Sequence, residues 1–151
     1  MALAGVHNVQ ILRGLASNRS LLSSDGAAKV DLWVKDDDSN RQTWEFKPVP
    51  GTSLFNIRLV ASQARRFLSC TGDGLVVDTY DKDDGSGRQR WVVEPVPNSP
   101  TPDTFLIRIS GGVTTNRKLL SCTPDGAKVD LYDHDDGSGR QRWQLQEVWR
   151  A

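Results

Sequence analysis

Several things are scarce in this chain, and each scarcity removes a class of explanation. The only two cysteines, Cys70 and Cys122, each follow an apolar residue and a serine, which reads as small buried packing positions rather than a bridge. There are two histidines, His7 and His134, with no nucleophile–base pattern around either, so no catalytic residues and no cofactor are expected. Charge of one sign is missing as well: 19 basic residues balance 19 acidic ones. That leaves no broad electrostatic handle on nucleic acid or an anionic membrane. Only 37% of the residues are hydrophobic, and no apolar run reaches the roughly 20 residues that a membrane-spanning helix needs. The start, MALAGVHNVQILRG, has no basic leader followed by an apolar stretch, so a cytoplasmic protein or one exported by a non-classical route is expected. A sustained 3.6-residue apolar period is also absent, which argues against helices.

What the chain has instead is repetition. The nonapeptide DDGSGRQRW occurs at Asp83–Trp91 and again at Asp135–Trp143, and a worn copy, DDSNRQTW, runs from Asp37 to Trp44. Aligning the three tryptophans brings the upstream residues into register. Trp33, Tyr80 and Tyr132 each stand eleven residues before their tryptophan, and Asp31, Asp78 and Asp130 thirteen before it. The pairs Leu21-Leu22, Phe67-Leu68 and Leu119-Leu120 align too, followed by Ser23, Ser69 and Ser121 and then by an Asp-Gly turn. Cys70 and Cys122 share one position, held by Ser24 in the first unit. A unit of about fifty residues used three times, over approximately 6–50, 51–99 and 100–149, is the organising fact of a single domain spanning 1–151.

Each unit spells four short strands between Gly, Asp and Pro turns. The expected strands are Val9–Leu12, Ser20–Ser23, Lys29–Val34 and Gln42–Phe46, then Phe55–Val60, Phe67–Cys70, Leu75–Tyr80 and Gln89–Val93. Phe105–Ile109, Lys118–Cys122, Lys128–Tyr132 and Gln141–Leu145 complete the set. In the third strand of each unit, Val30/Leu32, Val77/Thr79 and Val129/Leu131 alternate with Asp31/Trp33, Asp78/Tyr80 and Asp130/Tyr132, so one set is core and the other is not. Three four-stranded units too small to stand alone must share a core. The expected fold is therefore all-β: a β-trefoil, a closed barrel with a hairpin cap and pseudo-threefold symmetry. A three-bladed propeller is disfavoured, since propeller blades usually number four or more.

Gln42-Thr43-Trp44, Gln89-Arg90-Trp91 and Gln141-Arg142-Trp143 put a Gln-x-Trp near the end of every unit. On these tripeptides, in register along the whole chain, the protein resembles the ricin-type (R-type) lectins. Their physical role reads as structural: the indole fills the core, and the Gln amide satisfies backbone groups at the turn. The resemblance implies a sugar site elsewhere, made by an acidic residue after the second strand, a polar residue and an aromatic on the third, and an Asn before the Gln. These positions fall on Ser23, Asp31, Trp33 and Arg41; on Ser69, Asp78, Tyr80 and Arg88; and on Ser121, Asp130, Tyr132 and Arg140. The aromatic survives three times, whereas Ser replaces the acid and Arg the Asn each time, a departure from the pattern behind plain galactose specificity. An aromatic plane for the C–H face of a sugar, with Asp acceptors and Arg donors for its hydroxyls, would still make a cradle. An Asp31–Arg41 ion pair that merely closes the hairpin is the competing account.

The acidic runs Asp81-Asp83-Asp84 and Asp133-Asp135-Asp136 invite comparison with calcium loops, but Gly stands at the fifth place, not the sixth, and turn-forming Asp explains them without metal. His134, in place of Lys82, reads as solvated or as the edge of a sugar subsite. The expectation is thus a non-enzymatic, multivalent lectin with up to three equivalent shallow sites. Its partners would be glycans or glycoconjugates, with neither nucleic acid nor membrane insertion, and association into oligomers is left open. Two other readings stand beside it: a trefoil protease inhibitor acting through Pro95–Pro102 or Ser110–Lys118, and a structural protein-interaction trefoil.

Overall fold

A computed structural model describes residues 3–148, so the end of the third unit at 149 and the chain termini lie outside the described residues. The strands are β1 (Gly5–Ile11), β2 (Leu21–Ser24), β3 (Val30–Trp33), β4 (Trp44–Pro48), β5 (Phe55–Leu59) and β6 (Phe67–Cys70). They continue as β7 (Val77–Tyr80), β8 (Trp91–Pro95), β9 (Thr104–Ile109), β10 (Leu119–Cys122), β11 (Val129–Tyr132) and β12 (Trp143–Glu147). Antiparallel pairing runs β1–β4–β5–β8–β9–β12, and β12 returns to β1 through five pairs from His7↔Glu147 to Ile11↔Trp143. That closure makes a six-stranded barrel with no free edge. The hairpins β2–β3, β6–β7 and β10–β11 cover one end. They meet around the pseudo-threefold axis, where Leu32 N–H donates to the Gly126 carbonyl (3.2 Å) and Thr79 N–H to that of Ala28 (3.2 Å). This is the β-trefoil.

All twelve expected strands are present, with one systematic shift. The last strand of each unit begins at the tryptophan, not at the glutamine. The reason is that the Gln side chain is spent on the preceding turn. Gln42, Gln89 and Gln141 accept the Asp37, Asp84 and Asp136 N–H through Oε1 at 3.0–3.1 Å. Their amide nitrogens donate to the hydroxyls of Ser23, Ser69 and Ser121. Trp44, Trp91 and Trp143 are completely buried, and their indole N–H groups donate to the carbonyls of Leu22, Leu68 and Leu120 at 2.9–3.0 Å. One Gln-x-Trp therefore ties a turn, a hairpin and the core together. Cys70 and Cys122 are free and buried, and burial pushes their thiols up to about 12.

The worn copy of the nonapeptide is longer than its letters suggest. It starts at Asp36, not Asp37, because Asp36 takes the place of Asp83: Asn8 Nδ2 donates to Asp36 and Asn56 Nδ2 to Asp83, both at 3.1 Å. Asp38 (φ 65°) and Asn40 (φ 68°) then occupy the left-handed positions that Gly85 (φ 81°) and Gly87 (φ 97°) fill in the second unit. Short polar side chains tolerate that region better than others, which is how the turn persists without glycine.

Candidate functional site

The third strand of each unit presents its two faces as expected. Val30 and Leu32, Val77 and Thr79, and Val129 and Leu131 are buried, while Trp33 is 38% exposed and Tyr80 and Tyr132 are half-buried. The rings therefore lie outside the core. Asp31, Asp78 and Asp130 share that outer face, directly across the hairpin from Ser23, Ser69 and Ser121. In the first unit Asp31, Trp33, Arg41, Lys29 and Asp25 line an open cleft of about 240 Å³. In the third, Asp130, Tyr132, Arg140, Arg117 and Asp136 line one of about 190 Å³. The proposed aromatic, acid and arginine are thus brought together in both.

Three features differ from the sequence reading. First, the serines spend their hydroxyls on the hairpin, although Ser23 and Ser121 still line the floor of their clefts. They are buried, and their hydroxyls accept from the glutamines, so they serve the hairpin.

Second, Arg41, Arg88 and Arg140 do not pair with the third-strand acids. Asp31 is held by Arg19 (3.2 Å) and Asp130 by Arg117 (3.7 Å). In the second unit the equivalent Arg65 donates to the Thr79 carbonyl (2.8 Å) and acts on Asp78 only through its charge. Arg88 and Arg140 reach instead to Asp84 (3.9 Å) and Asp136 (3.8 Å) in their own turns.

Third, Arg19, Arg65 and Arg117 were missed altogether. Their guanidiniums lie over Trp33 (5.1 Å) and Tyr132 (6.0 Å) in the first and third units, a favourable cation–π placement. The signal was there, since each stands two residues before the second strand of its unit.

Burial raises all three third-strand carboxyls above their ordinary value, opposed by the adjacent Arg19, Arg65 and Arg117. The turn acids behave oppositely. Asp84 and Asp136 are lowered by hydrogen bonds from Ser86 and Ser138. The remaining oxygens of Asp83 and Asp135 accept from Arg90 and Arg142 at 2.8–2.9 Å. The acidic runs are therefore knitted into turns, and among the described residues no group of three His, Cys, Asp or Glu is placed to hold a metal ion. His134 is exposed, bonds Asp133 (2.7 Å) and lies 5.2 Å from the Tyr132 ring. Both loops considered for inhibition are tied back. Val96 N–H donates to the Thr104 carbonyl (2.9 Å) and Thr104 Oγ1 to that of Thr101 (2.9 Å), while Thr114 N–H bonds the Gly72 carbonyl (2.8 Å).

No family model matches the sequence, and no curated protein matches it. Solved structures do match its fold. A mosquitocidal holotoxin superposes with a TM-score of 0.75 at 16% identity over 98% of this chain, which spans only 18% of that one. The lectin of Polyporus squamosus, bound to the human-type influenza-binding epitope Neu5Aca2-6Galb1-4GlcNAc, gives 0.67 at 15% identity, covering 97% of this chain and 50% of its own. SeviL bound to the asialo-GM1 saccharide gives 0.70 at 16% identity, covering 97% and 99%.

Proposed function

We propose that the chain is a non-catalytic carbohydrate-binding trefoil whose clefts each take one sugar against the third-strand aromatic. The observation that carries this is the shared outer face: an aromatic, a half-buried acid and an arginine converge on one open cleft, in two units, on residues the core does not need. A ring offers a plane to the C–H face of a pyranose, and the fixed Asp and Arg supply acceptors and donors to its hydroxyls. That two trefoils of similar fold hold glycans supports the reading. A shallow site with one ring would bind a monosaccharide at around the millimolar level, equivalent to about −4 kcal/mol. Sites arranged about a threefold axis would gain about 10²–10⁴ in apparent affinity on a multivalent surface.

The test is a glycan array that includes the sialylated and asialo saccharides named above, read with the parent and with Trp33→Ala/Tyr80→Ala/Tyr132→Ala. The parent should bind, and the triple variant should lose binding while melting close to the parent. Retained binding would place the sites elsewhere. An unfolded triple variant would make the rings structural and remove the basis of the proposal.

A further inference from the structure

The outer faces of the three units are not equivalent, and the asymmetry traces to one loop. Between the first and second strands of a unit, the first unit uses residues 12–20 and the third 110–118, but the second uses only 60–66, two residues fewer. In each longer loop a glycine carbonyl reaches the arginine of the preceding unit. Arg140 Nη1 donates to the Gly14 carbonyl and Arg88 Nη1 to that of Gly112, both at 3.2 Å. Both arginines are also drawn to an acid in their own turn, and both are largely covered. The short loop of the second unit contains no glycine. It approaches the first unit by backbone bonds, from Val60 N–H to the Thr43 carbonyl (3.0 Å) and from Ala61 N–H to that of Asn40 (3.2 Å). Arg41 is left exposed, and among the described residues its guanidinium has no hydrogen bond and no ion pair.

The acids around Arg41 are partly engaged, and Arg41 acts on one of them, Asp37, through its charge without an ion-pair contact. Asp25 Oδ1 accepts the N–H groups of Ala27, Ala28 and Lys29, Asp37 Oδ1 accepts that of Ser39, and Asp31 is paired with Arg19. So in this cleft, among the described residues, the guanidinium donors of Arg41 make no hydrogen bond and remain for a ligand. Arg41 shares with Trp33, the most exposed of the three rings, the larger of the two clefts described. Arg has a rigid fork of donors suited to two neighbouring oxygens.

We infer that the cleft of the first unit is the principal glycan site and that Arg41 is its specificity-determining residue, gripping two adjacent acceptor oxygens of the ligand. This rests on the glycan-binding reading above. The oxygens could come from the carboxylate of an acidic sugar or from vicinal hydroxyls of a neutral one; the chemistry at Arg41 is the same. In the other two units the same residue is occupied in holding the neighbouring loop, so it serves the fold there.

The experiment uses the full chain in single-site forms. Tyr80→Ala/Tyr132→Ala keeps only the first cleft, and Trp33→Ala/Tyr80→Ala only the third. Each is titrated calorimetrically with the asialo-GM1 saccharide and with its sialylated counterpart, the GM1 saccharide. The first-cleft form should bind at least tenfold more tightly than the third-cleft form. Adding Arg41→Ala should remove that advantage without moving the melting temperature, since no internal bond is lost, and Arg41→Lys should restore less than half of it in free-energy terms. Arg140→Ala, by contrast, should lower the melting temperature. A preference for the GM1 saccharide that fades in high salt assigns the grip to a carboxylate; equal, salt-insensitive binding assigns it to hydroxyls. Equal affinity of the two single-site forms, or an Arg41→Ala variant that binds as well as its parent, overturns the inference while leaving the glycan reading intact. A wild-type chain that binds no glycan on the array overturns both.

Discussion

Trp91→Ala is the sharpest probe of the fold. The indole is fully buried at the centre of the core, and its N–H is the donor that the Leu68 carbonyl receives, at 3.0 Å. Removing it leaves a cavity and an orphaned acceptor in one step. A buried Trp→Ala change costs about 3–5 kcal/mol. For a domain of this size each kcal/mol is worth about 2–4 °C, so the midpoint should fall by roughly 6–20 °C, and a total stability of about 5–15 kcal/mol could be largely consumed. Trp91→Phe separates the two contributions. It keeps most of the apolar contact and loses the donor, and should cost about 1–3 kcal/mol for the carbonyl left behind. Thermal melts followed by circular dichroism, with urea titrations beside them, measure both. Tyr80→Ala, on the outer face, is the control and should move little. A Trp91→Ala protein melting within two degrees of the parent would refute the assignment of this ring to a shared core.

Two further outcomes follow from buried polar groups. His7 is completely buried, stands where Phe55 and Phe105 stand in the other units, and is opposite its own unit's tryptophan as they are. Its Nε2 donates to the Leu3 carbonyl (2.8 Å), while Nδ1 has no hydrogen-bond partner among the described residues; His7→Phe should therefore raise the melting point by about 2–4 °C, the equivalent of about 1 kcal/mol, and a fall would show that the Leu3 bond matters more than the orphaned nitrogen. Acidification should abolish glycan binding before it unfolds the chain. Burial raises Asp31, Asp78 and Asp130 above 3.8, so as the pH falls they lose their charge early, and their stability contribution is present at low pH and lost only as pH rises through the raised value. Asp25 and Asp125, lowered chiefly by the Ala27 and Ala127 N–H bonds, and Asp73, lowered chiefly by Thr71, contribute stability above 3.8 that goes only as pH falls through their still lower values. Binding and melting curves recorded from about pH 7 to about pH 3 should separate; if they coincide, the cleft carboxyls are not the groups that bind.

Much of the fold was legible because it is written in residues whose role is local and repeated. The tryptophans at fixed offsets, the Asp-Gly turns and the two-residue alternation of β3, β7 and β11 each specify a strand or a turn without reference to anything distant. The roles of Ser23, Ser69 and Ser121 were not legible, because a serine opposite an acid in the alignment looks polar and exposed until the Gln nineteen or twenty residues later folds onto it. The ion-pair partners of the third-strand acids were not legible either. Residue spacing placed Arg41, Arg88 and Arg140 near Asp31, Asp78 and Asp130, but long side chains go where acceptors are, and the loops from neighbouring units supply carbonyls that no single unit encodes. The start of the worn nonapeptide was misjudged because Asp38 and Asn40 can imitate glycine's backbone, which only their φ values reveal.

The hairpin built by each Gln-x-Trp also explains how the clefts could diverge while the barrel did not. The inner side of the hairpin carries the indole N–H bond, the Gln–Ser bond and the buried Leu, and all three recur in every unit. A change there costs the common core, whichever unit it strikes. The outer side carries the ring, the acid and the free or tethered arginine, whose contacts stay within one cleft or reach one neighbouring loop. Trp33 can replace Tyr, a loop can shorten by two residues and Arg41 can lose its tether without disturbing an inner bond. Symmetry in this chain is therefore enforced where the three units touch one another at the centre, and relaxed at the rim. Differences among the clefts are where ligand choice would be written.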